Sequence, residues 1–244
     1  MEHRQRCALS FSGGKDSLLA LDRAIRQGLS VDFLVTMYDE ASQRVRFHGV
    51  PIALIQAQAS ALGIPLLSYP NAPETFETVF LQSLRELRQH GITTLLFGNI
   101  HLTDVRAWYE ERTTAAGLIH YEPLWGNPPS KLVREFLARG YTAILTCIEE
   151  ARANPTWLGA PLTEELIQAF EQSGIDPCGE RGEYHTFVYA GPLFSFPLAF
   201  CLGERLSLAG FQLIDIQPQS DSIERAFWRM TKNGGAAPSD GHQL

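Results

Sequence analysis

A short glycine turn near the start of the chain carries residue types that hold phosphate. Residues 12–17 read Ser-Gly-Gly-Lys-Asp-Ser and stand between an apolar run, residues 7–11, and a helical pattern, residues 18–25. Adjacent glycines let the backbone approach an anion, and the unpaired N–H groups of a helix's first turn point at it. Two serine hydroxyls and the Lys15 ammonium add donors. The spacing predicts a phosphate-binding loop, although the Walker type is excluded because an Asp separates the Lys from the second Ser.

A second cluster of polar residues lies in the C-terminal third of the chain. Residues 178–188 read Cys-Gly-Glu-Arg-Gly-Glu-Tyr-His-Thr-Phe-Val, so Glu180 and Glu183 stand three residues apart among glycines. Such a turn could hold an amine nucleophile, a magnesium ion or a substrate cation. From the residues alone, an exposed acidic turn entering an edge strand is the slightly favoured interpretation.

Short apolar runs alternate with longer amphipathic stretches along most of the chain. Strands are predicted at residues 7–11, 31–37, 66–69, 94–98 and 142–147, with helices at residues 16–27, 52–62, 76–90, 103–116 and 131–138. This alternation indicates an α/β fold, a doubly wound, mostly parallel Rossmann-like sheet with right-handed crossovers. Ligands bind beyond the carboxyl ends of such strands. The glycine turn, residues 36–39 and residues 98–101 are expected to meet there.

The pattern changes near residue 124. Beyond the predicted strand at 142–147, a helix is predicted at residues 163–173 and strands at residues 184–189 and 206–216. We predict a first domain over residues 1–122, a smaller C-terminal α+β region over residues 123–228 that folds back over the glycine turn, and a disordered tail over residues 229–244.

Composition and charge exclude several classes of protein. The 244 residues are 45% hydrophobic, enough for a full α/β core. The four cysteines form no Cys-x-x-Cys pair, which predicts neither a zinc site nor a disulfide framework. No apolar run approaches the roughly 20 residues that span a membrane, so we expect a soluble cytoplasmic protein with no membrane attachment. The sequence leaves open whether the protein forms a homo-oligomer.

The net charge of −7 argues against sequence-independent binding of nucleic acid, which depends on Lys and Arg. Only three of the 20 basic residues are lysines. Four arginines, Arg85, Arg88, Arg106 and Arg112, either cluster into a local basic patch or form a solvated helix face, and the second interpretation is favoured.

Both polar clusters match a known family. The order Ser-Gly-Gly-x-Asp-Ser resembles the PP-loop of ATP pyrophosphatases, which cleave ATP between the α- and β-phosphates. Gly-Glu-x-Gly-Glu-Tyr-x-Thr at residues 179–186, followed by Gly-Pro-Leu-Phe, resembles the C-terminal signature of the diphthine–ammonia ligase family. Further matches are His48-Gly49, Ala-Leu-Gly-Ile-Pro-Leu at 61–66, Phe-Gly-Asn-Ile at 97–100, Glu-Pro-Leu-Trp-Gly at 122–126 and Trp-Leu-Gly at 157–159.

The resemblance implies an ATP-dependent amide ligase with residues 1–122 as its nucleotide-binding domain. Such an enzyme converts the carboxylate of diphthine, a modified histidine of elongation factor 2, or of an analogous acid, into an acyl-adenylate. Ammonium then supplies the amide nitrogen, and AMP and pyrophosphate are released. No metal of the protein's own is implied, because Mg²⁺ arrives with ATP, with Asp16 as a candidate ligand or, equally, a helix cap.

The resemblance also assigns the site residues by position. Nucleotide contacts are Ser12, Gly13, Gly14, Lys15, Asp16, Ser17, Met37 beside the adenine, and Gly98. Catalytic candidates are Lys15, Asp16, Glu180, Glu183 and Thr186, and contacts to ammonium or acceptor are His48, Asn99, Glu180, Gly182, Glu183, Tyr184 and Thr186. Glu183 is the expected base for ammonium if burial raises its pKa. The three histidines His48, His101 and His185 are equally consistent with structural hydrogen bonding, and Asn99 stands where the family usually has an acidic residue.

Two other functions stay open. A PP-loop enzyme that adenylates a nucleobase of RNA is disfavoured by the acidic charge and the absent Cys-x-x-Cys pairs. A non-catalytic, ATP-binding regulator would not be expected to carry both clusters.

Overall fold

The computed structural model describes residues 5–219, and its first sheet is the predicted doubly wound one. Five parallel strands lie in the order β3-β2-β1-β4-β5. They are β1 (Arg6–Ser10), β2 (Ser30–Asp39), β3 (Leu66–Asn71), β4 (Thr94–Leu96) and β5 (Ile119–Tyr121). The crossover helices are α1 (Lys15–Arg26), α2 (Ile52–Leu62), α3 (Phe76–Gln89) and α4 (Thr103–Ala115). This sheet confirms the fold class.

Alternation along the parallel strands separates two cores. Leu9 and Leu34 pack with α1 and α2 on one face, whereas Ala8 and Val35 pack with Phe80 of α3 on the other. Because neighbouring residues of a strand point to opposite faces, β1 and β2 supply both cores and are buried on both sides.

The second sheet is antiparallel and lies on the α1 side. Its order is β7-β6-β9-β8, with β6 (Thr142–Glu149), β7 (Tyr184–Ala190), β8 (Phe200–Leu208) and β9 (Phe211–Pro218). Two more helices, α5 (Pro129–Ala138) and α6 (Glu164–Gln172), pack with it. The core around α1 and α2 continues into this sheet without a break. The C-terminal region is thereby fixed against the helix that follows the glycine turn.

Three predictions about strands are corrected. The strand predicted at residues 142–147 is β6, which pairs antiparallel in the second sheet and does not extend the parallel one. The fifth parallel strand is β5, which has only three residues and gives no clear sequence signal. The single strand predicted at residues 206–216 is a hairpin, because Ala209 and Gly210 both have positive φ and turn the chain between β8 and β9.

Two sequence predictions fall wholly or partly beyond the described part of the chain. Residues 220–228 of the C-terminal region and the predicted disordered tail, residues 229–244, lie outside the described residues. Within residues 5–219, no helix is both long enough and apolar enough to cross a membrane.

Candidate active site

The glycine turn joins β1 to α1, as the sequence predicts. Gly13 has a φ of 79°, and a Cβ added there would lie 2.4 Å from Gln58 Oε1, so both the backbone conformation and the packing require glycine. The Ser17 hydroxyl donates to the Gly14 carbonyl at 3.0 Å and lies 3.4 Å from the Ser12 hydroxyl. Two hydroxyl groups thus converge at the start of α1, where the helix dipole is positive.

The end of β4 approaches this turn closely. A Cβ added at Gly98 would lie 3.0 Å from the backbone of both Asp16 and Ser17. Only glycine permits this approach of two backbones, and it brings the residues after β4 beside the glycine turn.

A cleft opens at the carboxyl edge of the parallel sheet, between the glycine turn, the residues after β4 and the second sheet. Ten of the predicted site residues line it: Ser12, Lys15, Asp16, Ser17, His48, Gly98, Asn99, Glu180, Tyr184 and Thr186. The cleft also contains six residues that the sequence does not assign as contacts: Ser10, Phe97, Tyr109, Cys178, Gly179 and His185. His185 is only a weak candidate in the sequence. Phe97, Cys178 and Gly179 stand within the quoted motifs, whereas Ser10 and Tyr109 carry no signal of a position beside a ligand.

Hydrogen bonds join the two polar clusters across this cleft. The backbone N–H of Lys15 donates to Thr186 Oγ1 at 3.1 Å, and the Lys15 ammonium donates to the Cys178 carbonyl. The backbone N–H of Ile100 donates to Glu180 Oε1 at 2.9 Å. Segments far apart in sequence therefore form one polar surface.

Lys15 is a buried cation at the base of the cleft. Its side chain is 4% exposed, with Nζ 2.9 Å from Asp16 Oδ2 and 4.6 Å from the centre of the Tyr184 ring. Burial acts to lower the pKa of Lys15, but Asp16, together with smaller contributions from Tyr184 and Cys178, acts in the opposite direction and the pKa is raised. The ammonium therefore stays charged, and the described residues accept two of its three N–H donors.

Glu180 lines the cleft and has a raised pKa. Burial, reinforced by the negative charge of Asp16, raises the pKa of Glu180 to about 7. The bond from the Ile100 N–H holds one carboxylate oxygen. A carboxyl group with this pKa can act as acid or base near neutral pH.

Glu183 lies outside the cleft, which corrects the expectation that it touches ammonium or the acceptor. Its side chain has no exposed surface, and its carboxylate accepts from Arg152 Nη2 at 2.8 Å, from the Arg181 N–H at 3.0 Å and from the Asp176 N–H at 3.3 Å. These bonds fix the turn that presents Glu180. The structure therefore gives Glu183 an anchoring position.

Four other predicted contacts also lie outside the cleft lining. Gly13 and Gly14 shape the glycine turn from behind, and Gly182 is a turn residue with a φ of 87°. Met37 lies inside β2, which continues to Asp39, and packs against the α3 core. Met37, which we predict to border the adenine, therefore does not line the cleft.

Two neutral histidines stand at one wall of the cleft. His48 Nδ1 lies 3.0 Å from the Thr186 carbonyl, which can only accept, so this nitrogen carries the hydrogen. Burial lowers the pKa of His48 to about 4, and the charge of Lys15 acts in the same direction. His185, whose ring centre is 4.7 Å away, also has its pKa lowered by burial. His101 bonds Asp176 at 2.6 Å and does not line the cleft.

The four arginines that could cluster are divided between two places. Arg85, Arg88 and Arg112 border one groove between α3 and α4, whereas Arg106 lies over the Trp125 ring at 4.5 Å. Among residues 5–219, no three His, Cys, Asp or Glu side chains are arranged to hold a metal ion.

The parallel sheet and the Ser-Gly-Gly-Lys-Asp-Ser turn at its carboxyl edge define a protein of the PP-loop class. Residues 5–119 match the diphthamide synthase N-terminal domain and residues 128–218 match the diphthamide synthase C-terminal domain. The chain therefore belongs to the diphthamide synthase family, an enzyme family whose named members are diphthine–ammonia ligases.

Individual relatives agree with the family. The chain is 28% identical to the diphthine–ammonia ligase of Schizosaccharomyces pombe over 75% of its own length and 34% of that protein. It is 27% identical to the diphthine–ammonia ligase of Rattus norvegicus over 78% of its length and 80% of that protein. The chain thus spans about a third of the yeast relative and most of the rodent one. A solved chain described as a predicted subunit of tRNA methyltransferase from Methanocaldococcus jannaschii aligns with 19% identity and a TM-score of 0.43, covering 76% of this chain and 97% of that one.

Proposed function

We propose that the protein is an ATP-dependent amide ligase that adenylates a carboxylate and transfers ammonia to it, releasing AMP and pyrophosphate. One observation supports the proposal. The glycine turn, residues 12–17, and the second polar cluster, residues 178–188, line a single cleft and are joined by the hydrogen bond from the Lys15 N–H to Thr186. A two-step ligase needs a site for the phosphates and a proton acceptor for the amine within reach of one reacting carbon.

In the first step, a carboxylate oxygen of the acceptor attacks the α-phosphorus of ATP. The bond between that phosphorus and the oxygen bridging to the β-phosphate breaks, and pyrophosphate leaves with the electron pair. The charged Lys15 ammonium, the Ser12 and Ser17 hydroxyls and the positive end of α1 would stabilise the departing charge.

In the second step, ammonia attacks the acyl carbon, the bond from that carbon to the AMP oxygen breaks, and the attached nitrogen releases one proton to water to leave the neutral amide. Ammonium must first lose a proton, because its nitrogen has no free electron pair. We assign the proton to the Glu180 carboxylate, which replaces Glu183 in this role because it faces the cleft and has a pKa of about 7.

Mg²⁺ is assigned to the substrate ATP. The Asp16 carboxylate is 26% exposed at the cleft and keeps acceptor capacity beyond its bond to Lys15, so it fits a hard cation. The ion would neutralise charge on the phosphates. Residues 1–122 would then bind the nucleotide, and residues 123–228 would complete the acceptor side.

The acceptor is proposed to be diphthine on elongation factor 2, or an acid of the same kind on another protein. This identity comes from the family, whose named relatives are diphthine–ammonia ligases. The acidic charge of the chain favours a protein acceptor over a nucleic acid.

The test is product analysis with elongation factor 2 that carries unamidated diphthine. Protein, ATP, Mg²⁺, ammonium and this acceptor are expected to give AMP, pyrophosphate and the amide. Omitting the ammonium should leave acceptor-dependent exchange of labelled pyrophosphate into ATP. Formation of ADP and phosphate would contradict the proposal, and AMP formed only with RNA would favour the nucleobase-modifying alternative.

A further inference from the structure

A buried carboxylate lies directly behind the cleft wall at Asn99. Glu122, which follows β5, has a side chain that is 2% exposed, and its Oε1 accepts from Asn99 Nδ2 at 2.8 Å. The same oxygen lies 2.9 Å from His120 Nε2, and Arg106 Nε lies 3.5 Å from Oε2. Trp125 in turn packs against the Arg106 guanidinium. The carboxylate of Glu122 is thus fixed by three side chains, of which only Asn99 lines the cleft.

This carboxylate decides which end of the Asn99 amide faces the cleft. A carboxylate can only accept hydrogen bonds, so it holds the amide nitrogen of Asn99 toward itself. The amide oxygen is therefore the end that Glu122 does not hold, and Asn99 itself lines the cleft. An aspartate at position 99 would instead set two carboxylates against each other.

The Glu180 carboxylate is held at the residue that follows Asn99 in the chain. It accepts from the N–H of Ile100, the residue that follows Asn99, and both side chains line the same cleft. Two residues with groups that accept hydrogen bonds, one of them an acid, thus line one cleft. The described lining of this cleft supplies no side-chain cation other than Lys15. A small cation with several N–H donors fits such a pair.

We propose that Asn99 Oδ1 and the Glu180 carboxylate bind the ammonium ion, and that Glu122 is the positioning residue that orients Asn99 for it. This inference rests on the proposed function and names the nitrogen site of the second step.

The first test changes each of the two groups singly. In Glu122→Gln, the new amide can donate as well as accept, so Asn99 loses its fixed orientation. We expect KM for ammonium to rise about tenfold or more, as the loss of a hydrogen bond to a charged group does. Pyrophosphate exchange and kcat at saturating ammonium should stay near the unmodified values. Asn99→Asp alone should also raise this KM, because its carboxylate opposes Glu122.

The double variant Asn99→Asp with Glu122→Gln provides the decisive comparison. The introduced amide can donate to the introduced carboxylate, which leaves one carboxylate oxygen toward the cleft, so KM for ammonium should return to within about threefold of the unmodified protein. A double variant as impaired as the sum of the singles would overturn the proposal. Ile119→Ala, an exposed apolar position at the edge strand of the parallel sheet, serves as the matched control.

A measurement without turnover keeps this inference separate from the proposed reaction. In nuclear magnetic resonance, ammonium chloride should shift the Asn99 side-chain amide signals of the whole chain, sodium chloride should not, and Glu122→Gln should weaken the response. Ammonium-specific shifts without pyrophosphate exchange would overturn the proposed reaction but keep the ammonium site. Exchange without any ammonium-specific shift of Asn99 would overturn the site.

Discussion

The turn over residues 176–183 has a cleft side and an anchoring side, and each contains one glutamate. Glu180, on the cleft side, is partly exposed, bonds one backbone N–H and has a pKa raised to about 7. Glu183, on the anchoring side, has no exposed surface and bonds a guanidinium and two backbone N–H groups. The two share a residue type and lie three positions apart, yet their surroundings give them opposite tasks.

The difference follows from what compensates each buried charge. A buried carboxylate stays in place when ionic and backbone donors satisfy it. A carboxylate with fewer donors and a like charge nearby binds a proton more readily. The anchoring side thus holds the turn in place, and the cleft side presents the carboxylate to which we assign the proton transfer.

The largest expected effect tests the reactive side. Glu180→Gln should slow amide formation by about 10² to 10⁴, since the change removes the proposed general base. The measurement is a single turnover with ATP binding checked by calorimetry on the same sample. Glu183→Gln is the matched control, and its folded fraction should form the amide at close to the unmodified rate. Equal slowing in both variants would break the comparison.

The next effect tests the anchoring side. Glu183→Ala should lower the free energy of unfolding by about 3 kcal/mol, because it leaves two backbone N–H groups and a guanidinium without their acceptor. Denaturant titration measures this loss. Glu180→Ala should change stability far less, and a loss equal to that of Glu183→Ala would contradict the assignment of separate tasks.

A smaller effect is expected when the partner of Glu183 is removed. Arg152→Met should cost about 1–2 kcal/mol, because Glu183 keeps both of its backbone bonds and the Arg152 side chain is itself 36% exposed. The folded variant should keep the ammonium KM of the unmodified protein. A raised KM would mean that the anchoring side reaches the ammonium site.

The smallest effect concerns pH and stability. The pKa of Glu180 is about 7 in the folded protein against 4.5 ordinarily. Because the fold favours its protonated form, the stability from this group is complete below pH 4.5 and is lost as pH rises through 7. Compared with Glu180→Gln, the melting temperature of the unmodified protein should therefore fall as pH rises from 4.5 through 7. Glu111→Gln, at an exposed position on α4, should show no such difference.

Much of the fold could be predicted from the sequence because its signals are local. The periodicity of the helices, the apolar runs of β1 to β4 and the glycine turn each arise within a short stretch of chain. β5 has only three residues, too few for a pattern to indicate it. The sequence predicts one strand where the hairpin of β8 and β9 lies, because Ala209 and Gly210 are not a strong turn pair.

The partner of β6 could not be predicted from its own residues. A mostly apolar strand of eight residues fits a parallel or an antiparallel sheet equally well. Its two neighbours, β7 and β9, both come from later in the chain, so only the tertiary structure shows the pairing.

The sequence by itself determined the phosphate-type turn, the parallel sheet behind it and the family, because residue order and local spacing encode each of them. Only the tertiary structure decided that Glu180 faces the cleft while Glu183 is buried behind it, and that Glu122 lies against Asn99. The physical reason is that proton affinity and hydrogen-bonding role depend on burial and on partners distant in sequence. Arg152 donates a hydrogen bond to Glu183, and the Ile100 N–H donates one to Glu180, only once the second sheet packs against the first.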